Sequence, residues 1–191
     1  KKRKNGGEAS LLITQMESSS PFCEAFRQLR LKLLRRLGEN DKVMMVTSSI
    51  PGEGKSTVSA NLALTLSRDG KRVLLMDGDL RNPSVKKTLR VTTPSAGLDE
   101  YFSNPDPPVK FLRYGSTSLY LLAGDTATAS PTSILKASAV EKFMLPLRDM
   151  FDYIIIDECH HATAETYKKI IAYFEPEFLL GLTATPERMD N

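Results

Sequence analysis

Cysteine is scarce in this chain: 191 residues contain only Cys23 and Cys159. Two distant cysteines make no disulfide framework, so a reducing, cytosolic compartment is expected. Long apolar runs are missing too. No stretch approaches the roughly 18 residues that a membrane span requires. A signal peptide is not expected, because Lys1-Lys2-Arg3-Lys4-Asn5-Gly6-Gly7 has no apolar core behind it. A strong excess of one charge is also lacking. The net charge of +3 is too small to argue for a nucleic-acid partner by itself. No internal repeat is visible.

What remains is ordinary globular usage, with 41% apolar and 26% charged residues. The length suffices for one domain with a real core. Residues 1–18 read as a flexible basic arm, either a solvated tail or a segment lying near an anionic membrane surface. Residues 19–191 read as a single domain.

Ser18-Ser19-Ser20-Pro21 has the form of a helix start. Behind it Phe22, Phe26, Leu29, Leu33 and Leu37 recur at helical spacing, while Glu24, Arg27, Arg30, Arg35 and Arg36 form the other face. Gly38 ends this helix. Apolar strands are predicted over 43–46, 73–76, 119–122, 153–156 and 178–182. Helices are predicted over 58–66, 131–149 and 162–174, with Pro146 expected to kink or shorten the second. Apolar strands alternating with helices predict an α/β fold: a parallel sheet with helices on both faces.

The run Ser48-Ser49-Ile50-Pro51-Gly52-Glu53-Gly54-Lys55-Ser56-Thr57 lies between a predicted strand and a helix. That context suits a phosphate-binding loop (P-loop), in which consecutive N–H groups and the helix N-terminus cradle nucleotide phosphates. Pro51, Gly52, Glu53, Gly54, Lys55, Ser56 and Thr57 are the expected nucleotide-binding residues. Lys55 can reach the terminal phosphates and Ser56 can ligate magnesium. Ser49 stands where the G-x-x-x-x-G-K-[ST] pattern has its first glycine. Three carboxylates end strands: Asp77, Asp79 and Asp157. Ligands of open parallel sheets bind beyond those carboxyl ends. Asp157 has the form of a Walker B aspartate for Mg²⁺. Asp77 is the candidate base for an incoming hydroxyl, and Asp79 a further metal contact.

Over about residues 17–157 the chain resembles the cytoplasmic domain of bacterial tyrosine kinases of capsule and exopolysaccharide export. The phosphate loop resembles their Walker A, with Asn61 falling where that pattern continues. Leu74-Leu75-Met76-Asp77-Gly78-Asp79-Leu80-Arg81 resembles their second acidic motif. Glu24-Ala25-Phe26-Arg27-Gln28-Leu29-Arg30 resembles their oligomerisation motif, and Phe151-Asp152-Tyr153-Ile154-Ile155-Ile156-Asp157 their Walker B. The resemblance implies ATP, Mg²⁺, tyrosine autophosphorylation and self-association through Glu24, Arg27 and Arg30. It also implies a membrane-bound activator and a cytoplasmic location at the inner face of the membrane.

After Asp157 the pattern changes. Asp157-Glu158-Cys159-His160 and Thr183-Ala184-Thr185 resemble motifs II and III of superfamily 2 DEAD/DEAH-type helicases. In that resemblance Glu158 activates the attacking water. The combination looks like a chimera, kinase-like over 19–157 and helicase-like over 158–191. Neither the kinase's tyrosine-rich tail nor the helicase's second motor domain is found, so strand separation and nucleic-acid handling are not expected. Slow hydrolysis with weak or absent autophosphorylation is expected instead, at a rate about 10³-fold or more below a complete enzyme's. Three functions therefore stand: a tyrosine-kinase-like ATP-binding protein, an ATPase using Glu158, or a fused scaffold that binds nucleotide without turnover. The two resemblances imply different sheets. The kinase type sets the Walker B strand beside the phosphate-loop strand, whereas the helicase type inserts the motif III strand between them.

Overall fold

The inner apolar runs become neighbouring strands because they are buried on both faces and can hide their backbone polar groups only by pairing, whereas Phe178–Leu182 is part-exposed. The computed structural model describes residues 11–48, 52–103, 109–125, 127, 137–157, 171, 172 and 174–182. After a 3₁₀ turn at Ile13–Gln15, the elements are α1 (Pro21–Leu34), β1 (Val43–Ser48), α2 (Lys55–Arg68), β2 (Val73–Asp77), α3 (Val85–Leu89) and α4 (Leu98–Ser103). They continue with β3 (Leu112–Arg113), β4 (Leu119–Leu122), α5 (Ala137–Met150), β5 (Tyr153–Asp157) and β6 (Phe178–Leu182).

The sheet has six strands in the order β3-β4-β2-β5-β1-β6. All neighbours are parallel except β3, which runs antiparallel to β4. Alternate strand residues feed two apolar layers. Met44, Val46, Leu75 and Ile155 face the layer of α1, α2 and α3. Val43, Met45, Leu74, Met76, Ile154 and Ile156 face the layer of α4 and α5. The α/β fold expected from the sequence is therefore the observed one. Helix α5 continues through Pro146 to Met150, so the proline does not shorten it.

The N-terminal segment departs from expectation. Leu11–Met16 fall within the flexible arm that the sequence predicts, yet Leu12 and Ile13 are buried in the core. Asn61 on α2 explains why. Its side chain is fully buried, accepts from the Ile13 N–H at 2.8 Å and donates to the Leu11 carbonyl at 2.8 Å. It also donates to the Thr57 carbonyl at 2.8 Å, so this one amide ties the segment to the helix behind the phosphate loop. Buried polar groups satisfied in this way hold one arrangement.

Helix α1 starts as its sequence predicts. Ser20 accepts from the Cys23 N–H at 3.2 Å, with Pro21 in the first turn. The exposed face expected to carry Glu24, Arg27 and Arg30 is only partly so. Arg27 pairs with Glu24 at 3.0 Å on the surface. Arg30 turns inward instead and pairs with Asp69 at 3.2 Å, its side chain only 19% exposed. The α1 face packs on α2, whose C-cap is Asp69, so Arg30 is spent within the chain.

Candidate nucleotide site

Just before α2 the backbone adopts the left-handed conformations that a phosphate loop uses. Gly52 and Gly54 have φ of +81° and +90°. No atom lies within 4 Å of a Cβ added at either position, so conformation rather than space demands glycine. Gly54 immediately precedes α2 and has no side chain to cap its first turn. The amide groups opening this helix thus present a positive end to an anion. Lys55 donates from Nζ to Ser48 Oγ at 3.0 Å, which holds its ammonium across the loop. The Ser56 hydroxyl lies 2.7 Å from that of Ser84. Ser49, Ile50 and Pro51 lie outside the described residues.

The strand order decides where Asp157 stands. β5 adjoins β1 directly, with Val46 opposite Asp157, and β6 lies on the far side of β1. This is the order implied by the kinase resemblance. The displacement of Asp157 by one strand, as in the helicase arrangement, does not occur. Asp157 is 1% exposed and accepts from the Ser59 hydroxyl at 2.9 Å. Burial raises its pKa to about 6, with Asp79 adding to the rise. Hydrogen bonds from Ser56 and Ser59 and the charge of Lys55 act the other way.

Asp77 stands opposite Asp157 in the β2–β5 register. It is 3% exposed, and its carboxylate is engaged by backbone. Oδ2 accepts from the N–H groups of Ser84 at 2.7 Å and Val85 at 2.8 Å. Oδ1 accepts from the Asp79 N–H at 3.2 Å. Burial, then the neighbouring Asp157, pushes its pKa up to about 7. These bonds fold the 78–85 loop back over the strand end. Asp79 is less buried and accepts from the N–H groups of Arg81 at 3.2 Å and Asn82 at 2.9 Å. Between the two carboxylates, Gly78 donates to the Asp157 carbonyl at 2.6 Å, and a Cβ there would meet that oxygen at 2.7 Å.

Lys55, Ser56, Asp157 and Asp77 are thus brought together, with Asp79 close enough for its charge to act on Asp157. Glu158 lies outside the described residues, as do Cys159, His160 and the 183–185 segment. Ser59 and Ser84 were not anticipated. Ser59 follows Ser56 by three positions on α2, a spacing that puts both on one helix face. Ser84 carries no sequence signal, since only the fold of the 78–85 loop brings it to Ser56. No group of three or more His, Cys, Asp or Glu that could hold a metal occurs among the described residues. Ser56 and Asp157 offer hard oxygen donors of the kind that suit Mg²⁺, which takes one or two protein ligands plus phosphate oxygens and water.

The family model described as "Type III restriction enzyme, res subunit" matches residues 14–188. The chain belongs to that family. The match runs far beyond the helicase-like stretch of 158–191. Most of the curated relatives are named as bacterial tyrosine-protein kinases, and the succinoglycan biosynthesis transport protein ExoP of Rhizobium meliloti, 31% identical and covering 72% of this chain and 18% of that protein, is among them too. The tyrosine-protein kinase CpsD of Streptococcus agalactiae is 35% identical over 121 residues, covering 63% of this chain and 53% of that protein. The chain thus spans about half the length of the curated relatives it matches first. Among solved structures, the VpsO kinase domain is 25% identical at a TM-score of 0.69, covering 88% of this chain and 87% of that one. The septum site-determining protein MinD of Pyrococcus horikoshii OT3, solved with Mg-ADP, is 22% identical at a TM-score of 0.61, covering 74% and 57% of the two chains. The latter likeness is one of fold. Among the described residues, no helix is long and apolar enough to cross a membrane.

Proposed function

We propose that the chain binds ATP with Mg²⁺ and carries a phosphoryl-transfer site of the bacterial tyrosine-kinase type. The single observation that supports this best is β5 lying directly beside β1, with Asp157 at the mouth of the glycine loop. In this reading the amide groups of residues 52–57 hold the phosphates, with Gly52 and Gly54 allowing the turn and Glu53 and Thr57 contributing backbone. Lys55 neutralises charge on the terminal phosphates. Ser56 and Asp157 hold Mg²⁺, with Asp79 assisting. The metal ion supplies charge neutralisation on the transferring phosphoryl group. Asp77 was the base suggested by sequence, but its oxygens already accept three backbone N–H groups. Its role here is to shape the loop, and the more accessible Asp79 is the carboxylate able to meet an incoming hydroxyl.

The family match and the Asp157-Glu158-Cys159-His160 motif favour a second reading, in which Glu158 activates water and ATP is hydrolysed. On either reading the kinase-type and helicase-type patterns meet between Phe151 and Asp157, a junction in the manner of a chimera. One experiment separates the two chemistries. The chain and its Glu158→Gln variant are incubated with Mg-ATP and a tyrosine-containing peptide, and phosphotyrosine and free phosphate are measured together. On the kinase reading phosphotyrosine is formed by both proteins, against the slow hydrolysis and weak or absent autophosphorylation expected from the sequence. Phosphate release that disappears in Glu158→Gln, with no phosphotyrosine in either, would establish the hydrolase instead.

The kinase likeness also supports a cytoplasmic site at the inner membrane face, reached through a membrane-bound partner, and self-association through α1. Because Arg30 is engaged by Asp69, the contact falls to Glu24 and Arg27. Light scattering is expected to find an oligomer that Arg27→Ala weakens. A monomer for both proteins would dismiss the contact.

A further inference from the structure

The phosphate loop and the 78–85 loop touch through one pair of hydroxyls. Ser84 Oγ lies 2.7 Å from Ser56 Oγ, and both are part-buried. Either hydroxyl can be the donor in this contact. A serine oxygen has two lone pairs, so Ser56 can engage Ser84 and still offer a lone pair to a cation. Ser84 itself is held by its own N–H, which donates to Asp77 Oδ2 at 2.7 Å, with the Val85 N–H on the same oxygen at 2.8 Å. Ser84 precedes α3 as its N-cap residue, yet its side chain makes no capping bond. The hydroxyl is directed at Ser56 instead of serving its own helix, where a serine is ordinarily used.

We propose that Ser84 is a positioning residue for the magnesium site: its hydroxyl orients Ser56 toward the metal and joins the 78–85 loop to the phosphate loop. This rests on the nucleotide–Mg²⁺ reading above. A side chain pre-aimed by a second hydrogen bond spends less freedom when it binds its ligand, and loss of such partners weakens metal affinity. The effect should appear in metal affinity and not in the metal-free affinity for nucleotide. Asp77 connects the same loop to the strand end, so metal occupancy and loop position are coupled through Ser84.

The test titrates Mg²⁺ into the chain saturated with a fluorescent ADP analogue, and separately titrates the nucleotide in EDTA. Ser84→Ala is expected to weaken the Mg²⁺ dependence about three- to tenfold, the size of one hydrogen bond. Its EDTA affinity and thermal midpoint should stay near wild type, and Ser84→Thr, which keeps the hydroxyl, should restore the Mg²⁺ dependence. Equal weakening with and without Mg²⁺, or failure of threonine to rescue, would overturn the proposal by showing a merely structural role. Unchanged Mg²⁺ dependence in Ser84→Ala would overturn it as well. Failure of the wild-type chain to bind nucleotide in any condition would instead remove the reading on which it rests.

Discussion

Lys55→Met is expected to leave the chain folded and to weaken ATP binding by about 100-fold or more, the loss of charge-assisted hydrogen bonds to two phosphates. The lysine is the first residue of α2, and its Nζ already bridges to Ser48 across the loop. Methionine keeps the length and apolar stem of the side chain but has no ammonium. The metal-free fold loses that one part-buried bond, a matter of about 1 kcal/mol, together with the attraction of the ammonium for Asp157. Calorimetry with Mg-ATP on both proteins measures the difference, and circular dichroism confirms that the variant is folded. Wild-type affinity in a folded variant would mean that the phosphates are held elsewhere.

The second large effect concerns the Asp77–Asp157 pair. Both carboxyls have folded pKa values above the ordinary 3.8, about 7 for Asp77 and about 6 for Asp157, burial being the first cause in each. An acid with a raised folded pKa binds more protons folded than unfolded. Stability therefore falls as pH rises from about 4 toward 7 and levels off above the folded pKa. In EDTA, the chain should be more stable at pH 5.5 than at pH 8 by about 2–4 kcal/mol. That corresponds to about 5–15 °C in Tm for a chain of this size. Asp77→Asn removes one of the two titrating groups and should flatten most of this slope. Mg²⁺ with nucleotide should raise the high-pH midpoint of the wild type by offsetting the paired charges. A wild-type midpoint that rises between pH 5.5 and 8 in EDTA would contradict the buried pair.

Much of the fold was legible because its signals are local. Four-residue apolar runs such as Tyr153-Ile154-Ile155-Ile156 mark strands buried on both sides, and Ser20-Pro21 marks a helix start. The glycines, Lys55 and Ser56 were readable for the same reason: a phosphate loop is built from contiguous backbone. Strand order was not readable. Whether β6 inserts beside β1 or lies outside it depends on which packing wins between distant segments, and both resemblances offered an answer. Arg30 misled for a related reason. Helical spacing set it on the same face as Arg27, but the approach of Asp69 at the end of α2 drew it inward. Asn61 was noticed as part of a pattern, yet its work in holding Leu11 and Ile13 needs partners about fifty residues away. Asp77 looked like a free carboxylate at a strand end. Its two oxygens accept three N–H groups of a loop whose course no periodicity encodes.

The central claim is that one magnesium nucleotide sits on residues 52–57 with Asp157 beside it. A crystal structure of the chain grown with Mg-ADP tests this directly. The account predicts phosphates on the amides opening α2 and a cation about 2.1 Å from Ser56 Oγ. It further predicts Asp157 contacting that cation directly or through one water, with β5 still between β2 and β1. Nucleotide bound away from the glycine loop, or a cation held without Ser56 and Asp157, would contradict it.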